Sequence, residues 1–286
     1  MIIPEHEIAI TNRHGDTIYA TLTLPVNRPS RVPLAVLLHG FKGFRNYSFL
    51  PWTAQYAAAE GAAVLRLCFS LNGMKNSSWM VQSTDDFARN TISRECDDAA
   101  DTFAAIEGDA QFEALRSIWD GTISLIGHSR GGGIALLAAS ELQQIQPERV
   151  RKVAVWNSVG TWTRWTPRQA DAWKQAGSFE MQNQRTLQML TMNASYLEDI
   201  ERSSDRLDLQ VACSNLGSKL RLIHAQHDMT VPLREIEELA SRAGAKQQLF
   251  VLQNTTHTFN MDHPVQRITK GFVDVLESTF PWLIAS

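Results

Sequence analysis

The sequence has few cysteines, and they form no recognisable set. Only three occur among its 286 residues, at Cys68, Cys96 and Cys213. An odd number of cysteines, far apart and without metal-ligand spacing, excludes a disulfide framework and a cysteine-based zinc site. The pattern predicts buried, reduced thiols in a cytoplasmic protein.

Excess positive charge is missing as well. The chain has 27 Lys and Arg against 30 Asp and Glu, a formal net charge of -3, and its pI is near 6.2. A basic patch for nucleic acid is therefore not expected, and no block of like charge indicates an interaction tail. These counts favour a small or neutral substrate and predict no nucleic-acid partner.

Long hydrophobic runs are also lacking. No stretch approaches the roughly 20 uninterrupted apolar residues that a membrane span requires. Residues 1–10 contain Glu5, His6 and Glu7, and they lack the basic segment and apolar run of a signal peptide. We therefore expect no membrane partner and a cytoplasmic location.

What the sequence does contain is an alternation of strand and helix patterns. Residues 5–11 and 17–24 flank a polar turn and predict an N-terminal antiparallel hairpin. Short, nearly continuous apolar runs then indicate strands buried on both faces of a mainly parallel sheet, at residues 34–38, 62–68, 123–126, 150–156, 219–224 and 248–252. Helical patterns alternate with them, at residues 51–60, 94–106, 131–142, 234–242 and 266–280. The alternation predicts an α/β fold with helices on both faces of the sheet.

Residues 158–217 interrupt this alternation, because they contain no clear parallel strand and are too many for a structureless loop. Two stretches within them, residues 179–192 and 194–206, favour helix. The segment also contains three tryptophans, Trp162, Trp165 and Trp173. We predict a mainly helical cap, inserted between core residues 1–157 and 218–286 and lying over the carboxyl edge of the sheet. A peripheral packing element away from any site is the alternative.

Residues 127–131 read Gly-His-Ser-Arg-Gly and lie between a predicted strand and a predicted helix. A G-x-S-x-G sequence in that context is typical of a nucleophile elbow, in which the serine adopts a strained backbone conformation. Only small residues such as Gly127 and Gly131 fit beside so sharp a turn. We therefore predict Ser129 as a nucleophile. The alternative is a glycine-rich turn with an idle serine.

An oxyanion hole needs two backbone N–H groups, one after the nucleophile and one in the loop after an early strand. Arg130 follows the serine directly, and Phe41 lies in the loop after the first predicted parallel strand. We therefore predict the N–H groups of Phe41 and Arg130 as the oxyanion donors. His39, at the end of the same strand, is expected to have a structural hydrogen-bonding role rather than to act as a base.

The acid and the base of such a site follow the nucleophile in the order carboxylate, then histidine. Asp228 and His257 each come after a predicted strand in the second half of the chain. A carboxylate at Asp228 would accept a hydrogen bond from the imidazole and fix its tautomer, and helix capping is its alternative role. We predict His257 as the general base in preference to His263, which precedes Pro264 at a predicted helix entrance, where capping is more natural.

Together these motifs resemble the α/β-hydrolase superfamily over essentially the whole chain. The closer similarity is to bacterial esterase-like members related to dienelactone hydrolases, cinnamoyl (feruloyl) esterases and prolyl-oligopeptidase-type hydrolases. It rests on four segments, residues 39–44, 127–133, 228–232 and 257–259. The resemblance implies an α/β-hydrolase fold with Ser129 as nucleophile, Asp228 as acid and His257 as base. The predicted cap is similar to the family's insertion after the sixth strand.

The expected activity is hydrolysis of a carboxylic ester of a small, apolar or aromatic acyl group through an acyl-enzyme intermediate. No metal or organic cofactor is implied, and we expect a monomer or a homodimer. Arg130 and Arg164 would attract a substrate carboxylate, or they are ordinary surface arginines. Aromatic side chains are expected to line the acyl pocket, unless they simply pack in the core: Phe44, Trp162, Trp165 and Trp173.

Three alternative functions remain open. A serine peptidase or aminopeptidase and a thioesterase use the same residues, because fold and triad fix the chemistry more tightly than the substrate. In a peptidase, Asp171 and Glu180 of the predicted cap would bind a free amine, and otherwise they lie on solvated helix faces. The third alternative, a non-catalytic small-molecule receptor, usually lacks a member of the triad.

Overall fold

The computed structural model describes residues 2–26, 31–74 and 79–285. Its strands are β1 (Glu5–Thr11), β2 (Thr17–Thr23), β3 (Val32–Leu38), β4 (Ala63–Cys68), β5 (Trp119–His128), β6 (Val150–Trp156), β7 (Ser178–Gln182), β8 (Met189–Asn193), β9 (Leu220–Ala225) and β10 (Leu249–Leu252). Its helices are α1 (Leu50–Ala59), α2 (Thr84–Ala88), α3 (Ile92–Gly108), α4 (Glu113–Arg116), α5 (Arg130–Ile145), α6 (Pro167–Ala176), α7 (Ser195–Arg202), α8 (Leu209–Leu216), α9 (Leu233–Arg242) and α10 (Lys270–Ile284). Within these described ranges, none of the helices combines the length and the apolar character needed to cross a membrane.

Eight of the strands form one sheet in the order β1-β2-β4-β3-β5-β6-β9-β10. β1 pairs antiparallel with β2, and β2 pairs antiparallel with β4. The remaining neighbours are parallel. The predicted N-terminal hairpin and mainly parallel sheet are therefore confirmed. Because the carboxyl ends of parallel strands meet at one edge, the loops after β3, β5, β9 and β10 lie at the same edge of the sheet.

Helices cover both faces of this sheet, as predicted. α1 and α10 pack on one face through side chains such as Leu50 and Phe272. α3, α5, α8 and α9 pack on the other face, where Phe103 and Leu136 join the larger core. All six residues of β4 are buried, as expected for a strand covered on both sides. The three cysteines are buried and free of disulfides, in agreement with the prediction of buried thiols.

Residues 158–217 contain helices and a separate two-stranded sheet. α6 begins with a capping box, in which the side chains of Thr166 and Gln169 each bond to the other residue's backbone N–H. It ends at Gly177, whose φ of 77° is the left-handed conformation that favours glycine. The chain then passes into β7, which pairs antiparallel with β8.

The helix predicted over residues 179–192 is wrong, because this stretch forms the β7–β8 hairpin. Its turn is closed at Asn183, whose N–H donates to the carbonyl of Gln188 and whose carbonyl accepts from the N–H of Leu187. Leu187 has a φ of 59°, which no continuing right-handed helix contains. Leu190 of β8 is fully buried in the larger core. Cross-strand pairing and burial on one side thus outweigh the helix propensity of the stretch.

The helix predicted over residues 194–206 is confirmed as α7, although it ends at Arg202. α8 completes the segment and packs against α5 and α9 of the main helical layer. The division into a core of residues 1–157 and 218–286 and a cap of residues 158–217 stays a prediction, with α8 contacting the core side of that boundary.

Candidate active site

Ser129 lies at a sharp turn between β5 and α5. Its backbone has φ 57° and ψ -122°, which is a strained combination for a residue with a side chain. A Cβ atom added to Gly127 would lie 2.1 Å from the carbonyl oxygen of Gly131, and one added to Gly131 would lie 2.4 Å from that of His39. Both positions therefore require glycine, and the backbone geometry predicted from the motif is present.

Phe41 and Arg130 provide backbone N–H groups beside the serine. Arg130 is the first residue of α5, where the N–H has no acceptor inside the helix and the dipole is positive. Phe41 lies in the loop after β3. Neither N–H donates to an acceptor in the part of the chain that the structure describes, and both residues line a cavity together with Ser129. Neither group is therefore committed to an acceptor within the described residues, and their role as oxyanion donors stays a prediction.

Asp228 and His257 form a hydrogen-bonded pair, in loops that follow β9 and β10. Oδ2 of Asp228 lies 2.6 Å from Nδ1 of His257. The other carboxylate oxygen accepts from the N–H groups of Thr230 and Val231, each at 2.8 Å. Burial raises the pKa of Asp228, but the contacts with His257 and with the two N–H groups outweigh burial and lower this pKa overall. Asp228 is thus held as a carboxylate that accepts from the imidazole.

The loop that contains His257 is fixed through its backbone carbonyl. Nε2 of His128 and Nδ2 of Asn157 both donate to the oxygen of His257, each at 2.8 Å. Oδ1 of Asn157 accepts from the N–H of Ala225 at 2.7 Å, which joins this loop to the end of β9. Burial, together with His257, lowers the pKa of His128 to about 3 and keeps its ring neutral. Sequence reasoning missed Asn157, whose position directly after β6 at the carboxyl edge is the signal that marks it.

Two cavities meet at Ser129. The first, which we name the apolar cavity, has a volume of about 260 Å³ and is lined mainly by Val159, Trp162, Trp165, Met192, Tyr196 and Val231, besides Phe41 and Arg130. The second, the polar cavity, has a volume of about 580 Å³ and is lined by Lys42, Tyr47, Asn183, Arg185, His227, His257 and Thr258, among others. His257 lines only the polar cavity. In the described part of the chain, no carboxylate side chain lines either cavity, and no group of three or more metal-binding side chains is placed to hold an ion.

Two of the four aromatic residues predicted for the acyl pocket line the apolar cavity, namely Trp162 and Trp165. The prediction for Trp173 is corrected, because it lies behind the lining residues and stacks on Tyr196 at an interplanar angle of 9°. Tyr196, which the sequence analysis did not select, lies between Trp173 and the cavity. It lies three residues after the end of the hairpin strand Met189–Asn193, and this position gave no separate signal in the sequence.

The prediction for Phe44 is also corrected, because it packs away from both cavities. Its ring lies edge-on to Tyr47 and His263, with centroids 6.1 and 5.4 Å apart. His263 in turn accepts a hydrogen bond at Nδ1 from the N–H of Ser48 at 3.1 Å. The predicted capping role of His263 is therefore wrong, and α10 begins later, at Lys270.

His39 has the structural role predicted for it. Its ring is buried, Nδ1 donates to the carbonyl of Gly40 at 2.9 Å, and Nε2 accepts from the N–H of Phe69 at 3.3 Å. Burial is the largest reason why the pKa of His39 falls to about 4. The neutral ring therefore fixes the strand end that leads into the Phe41 loop.

The guanidinium groups of Arg130 and Arg164 both have carboxylate partners. Arg130 is buried and pairs with Glu95 at 2.9 Å. It lies between the rings of Phe41 and Tyr196, whose centroids are 5.1 and 5.2 Å from its Cζ. Arg164 also pairs with a carboxylate, at 2.9 Å. Carboxylates of the protein therefore balance both charges, which does not favour a role for either in attracting a substrate carboxylate.

The sheet order, the helices on both faces and the sharp turn at Ser129 form an α/β-hydrolase fold, which solved structures share. The model of the Esterase family, described as "Putative esterase", matches residues 11–227. The chain belongs to this family and is therefore an esterase-type hydrolase. No sequence among the curated proteins matches it.

Several solved structures share the fold. Est1E from Butyrivibrio proteoclasticus matches with a TM-score of 0.67 and 15% identity, over 96% of each chain. The esterase domain of a Rhodothermus marinus protein matches with a TM-score of 0.62 and 19% identity, over 98% of each chain. The acylaminoacyl peptidase of Pyrococcus horikoshii matches with a TM-score of 0.64 and 14% identity, over 99% of this chain but 41% of its own. At these identities the likeness establishes the fold alone.

Proposed function

We propose that the chain is a serine esterase that cleaves a small carboxylic ester through an acyl-enzyme intermediate. One observation carries this proposal: Ser129, at a strained elbow, lines the same cavity as His257, whose Nδ1 lies 2.6 Å from Asp228. A serine becomes a useful nucleophile only beside a base, and the base needs a fixed tautomer. Because Nδ1 of His257 contacts Asp228, Nε2 is the nitrogen that would accept the proton of Ser129.

In the proposed reaction, Ser129 Oγ attacks the ester carbonyl while His257 accepts its proton. The N–H groups of Phe41 and Arg130 bind the oxyanion, and one such donor contributes about 3–4 kcal/mol to stabilising the transition state. His257 then protonates the leaving alcohol, so that the C–O bond breaks and the acyl group stays on Ser129. Water, deprotonated by His257, releases the acid and restores the serine.

In this proposal, the position of His257 determines which cavity holds the alcohol and which holds the acyl group. Because His257 must protonate the leaving alcohol, the alcohol lies in the polar cavity and the acyl group lies in the apolar cavity. Trp162, Trp165 and Tyr196 would contact an apolar or aromatic acyl group there. A structure of Est1E with ferulic acid bound, at 16% identity and a TM-score of 0.68, supports an aromatic acyl group in this fold.

The absence of acidic lining residues bears on the peptidase alternative. An aminopeptidase needs a carboxylate to bind the free amine of its substrate, and none lines either cavity among the described residues. Asp171 and Glu180, which would serve that purpose, lie outside both linings. This favours an ester over a peptide with a free amino terminus.

Labelling by a fluorophosphonate probe tests the proposed nucleophile. We expect the native chain to be labelled at Ser129 and the Ser129→Ala variant to stay unlabelled. Ser158→Ala is the matched control, because Ser158 is a buried serine that lines neither cavity. Equal labelling of the native chain and Ser129→Ala, or no labelling of a folded native chain, overturns the proposal.

Hydrolysis of esters and anilides of the same acyl groups tests the substrate class. We expect turnover of p-nitrophenyl and feruloyl esters, together with negligible cleavage of aminoacyl anilides. A folded chain that cleaves the anilides and leaves the esters intact is a peptidase. Thioester analogues, run beside the oxygen esters, separate a thioesterase from an esterase by the ratio of kcat/KM.

A further inference from the structure

The polar cavity contains two cationic side chains and no anionic one. Lys42, from the loop after β3, and Arg185, from the turn of the β7–β8 hairpin, both line it. The other titratable groups of its lining are Tyr47 and the three histidines, which supply no negative charge at neutral pH: His128, His227 and His257. Among the described residues, the lining therefore has a positive charge that no carboxylate of the lining balances.

Contacts other than ion pairs hold these two cations in place. Nη2 of Arg185 donates to the carbonyl of Lys42 at 2.7 Å, and the guanidinium lies over the ring of Tyr47 at 4.9 Å. Nζ of Lys42 lies over the ring of Phe41 at 5.5 Å. Aromatic rings stabilise a cation without neutralising its charge. Both charges therefore remain available to a ligand.

The two cations also repel one another. Burial, and next the positive charge of Arg185, lower the pKa of Lys42 from its usual value. The negative charge of a bound anion would offset the cost of burying Lys42 and its repulsion by Arg185. Arg130 and Arg164 differ from this pair, since each has a carboxylate partner.

We propose that the ester cleaved at Ser129 has an anionic alcohol portion, bearing a carboxylate or a phosphate, which Lys42 and Arg185 bind in the polar cavity. This inference rests on the proposed esterase function, in which His257 protonates the leaving alcohol and the alcohol therefore lies in the polar cavity. The acyl group passes from the alcohol oxygen to Ser129 Oγ, and the proton carried by His257 goes to that alcohol oxygen. Water completes the hydrolysis, so the products are an apolar acid and a small anionic hydroxy compound.

Matched esters separate charge from size. The phenylacetyl esters of 3-hydroxybenzoate and 3-hydroxybenzamide have similar shape. The alcohol portion of the first bears a carboxylate, and that of the second bears a neutral amide. The phenylacetyl ester of 3-hydroxyphenyl phosphate distinguishes phosphate from carboxylate. We expect the native chain to prefer at least one anionic ester over the amide by roughly ten-fold or more in kcat/KM, with a preference that weakens as ionic strength rises.

Charge variants assign this preference to the two residues. In Lys42→Gln and Arg185→Gln, the ratio of anionic to neutral ester turnover is expected to fall several-fold. Arg185→Lys should keep part of the ratio, because it keeps a charge but loses the planar group. Arg168→Gln, on the exposed face of α6 and outside both cavities, is the matched control and should leave the ratio unchanged.

Failure of this inference is distinguishable from failure of the proposed function. If the native chain hydrolyses the anionic and neutral esters equally well, the inference is overturned and the esterase proposal stands. If no ester is hydrolysed, calorimetry of 3-hydroxybenzoate and 3-hydroxybenzamide binding to Ser129→Ala tests whether the polar cavity binds the anion. Tighter binding of the anion that is lost on adding Lys42→Gln supports the inference, and equal binding of the two compounds overturns it.

Discussion

The carboxylate of Asp228 divides its two oxygens between His257 and the backbone of its own loop. Oδ2 lies 2.6 Å from Nδ1 of His257, whereas Oδ1 accepts two N–H groups at 2.8 Å. One oxygen therefore fixes the loop and the other orients the imidazole. A substitution can separate these two roles, because an amide at this position can still fix the loop but cannot orient the imidazole.

Replacing Asp228 by Asn is expected to leave the fold intact and to abolish most of the activity. The amide oxygen of Asn can still accept the N–H groups of Thr230 and Val231, but its NH₂ group would face Nδ1 of His257 and stabilise the wrong tautomer. In a serine protease triad the same change lowers kcat by about 10⁴-fold. We expect a loss of roughly 10³-fold or more in kcat, measured with a p-nitrophenyl ester.

Asp208→Asn is the matched control for this substitution. Asp208 caps α8 by accepting the N–H groups of Gln210 and Val211, as Asp228 does in its loop, but it contacts no histidine. Its replacement should leave kcat within two-fold of the native value. A kcat for Asp228→Asn that is also within a few-fold of native would show that Asp228 does not orient a catalytic base.

Gly127→Ala tests whether the elbow depends on close backbone approach. A methyl group at this position would lie 2.1 Å from the carbonyl oxygen of Gly131, so the turn must move. We expect a loss of about 3 kcal/mol in the free energy of unfolding, which lowers Tm by about 6–12 °C. Gly108→Ala, at the end of α3 with nothing within 4 Å of the added methyl group, should be neutral or stabilising. Equal Tm values for the two variants would contradict the geometry.

Trp165→Ala tests the role of the apolar cavity in selecting the acyl group. Removing the indole, which packs edge-on to Trp173 and Tyr196, enlarges the cavity and makes room for longer chains. Each buried methylene contributes about 0.8 kcal/mol, or roughly four-fold. We expect the kcat/KM ratio of octanoyl to butyryl p-nitrophenyl esters to rise by at least about ten-fold. Trp52→Ala, on the exposed side of α1, should keep the native ratio. If Trp165→Ala keeps it as well, the apolar cavity does not select the acyl group.

His39 is expected to make the fold sensitive to acid. Burial lowers the pKa of His39 from 6.5 to about 4, so the native ring stays neutral while the unfolded chain takes up a proton below about pH 6.5. The stability from this residue is thus present above pH 6.5 and is lost as the pH falls towards 4. The loss between pH 7 and pH 5 is about 2 kcal/mol.

Urea unfolding of the native chain and His39→Gln at both pH values measures this effect. The variant should lose about 2 kcal/mol less than the native chain between pH 7 and pH 5. Between pH 7 and pH 8 the two proteins should change in parallel. An identical loss for both on acidification would show that the ring of His39 accepts a proton in the folded chain.

The sequence predicts the central sheet well, because strands buried on both faces contain almost only apolar residues. Residues 150–156 match β6 to the residue. The β7–β8 hairpin escaped prediction because its strands contain Glu, Met, Gln and Leu, which favour helix, and its turn contains neither glycine nor proline. The positive φ of Leu187 belongs to the turn that its N–H closes on the carbonyl of Asn183, and nothing in the local sequence marks it.

The site divides in the same way. Ser129, Asp228 and His257 could be predicted from the sequence because each directly follows a strand that the apolar runs predict. The residues that line the cavities were harder to predict. Phe44 and Trp173 are aromatic residues in segments near the predicted site, yet each packs behind another ring. Lys42 and Arg185 are 143 positions apart, and only the folded hairpin brings them together.

The hairpin β7–β8 forms a separate sheet, and its turn is attached by side chains to two loops of the chain. Arg185 donates to the carbonyl of Lys42, and Gln188 exchanges two hydrogen bonds with the backbone of Val81. The residues proposed to break the ester bond belong to other loops. Under the proposed function, replacing residues 183–188 with another turn of similar length is expected to change which alcohol portion is bound, while Ser129, Asp228 and His257 stay in place.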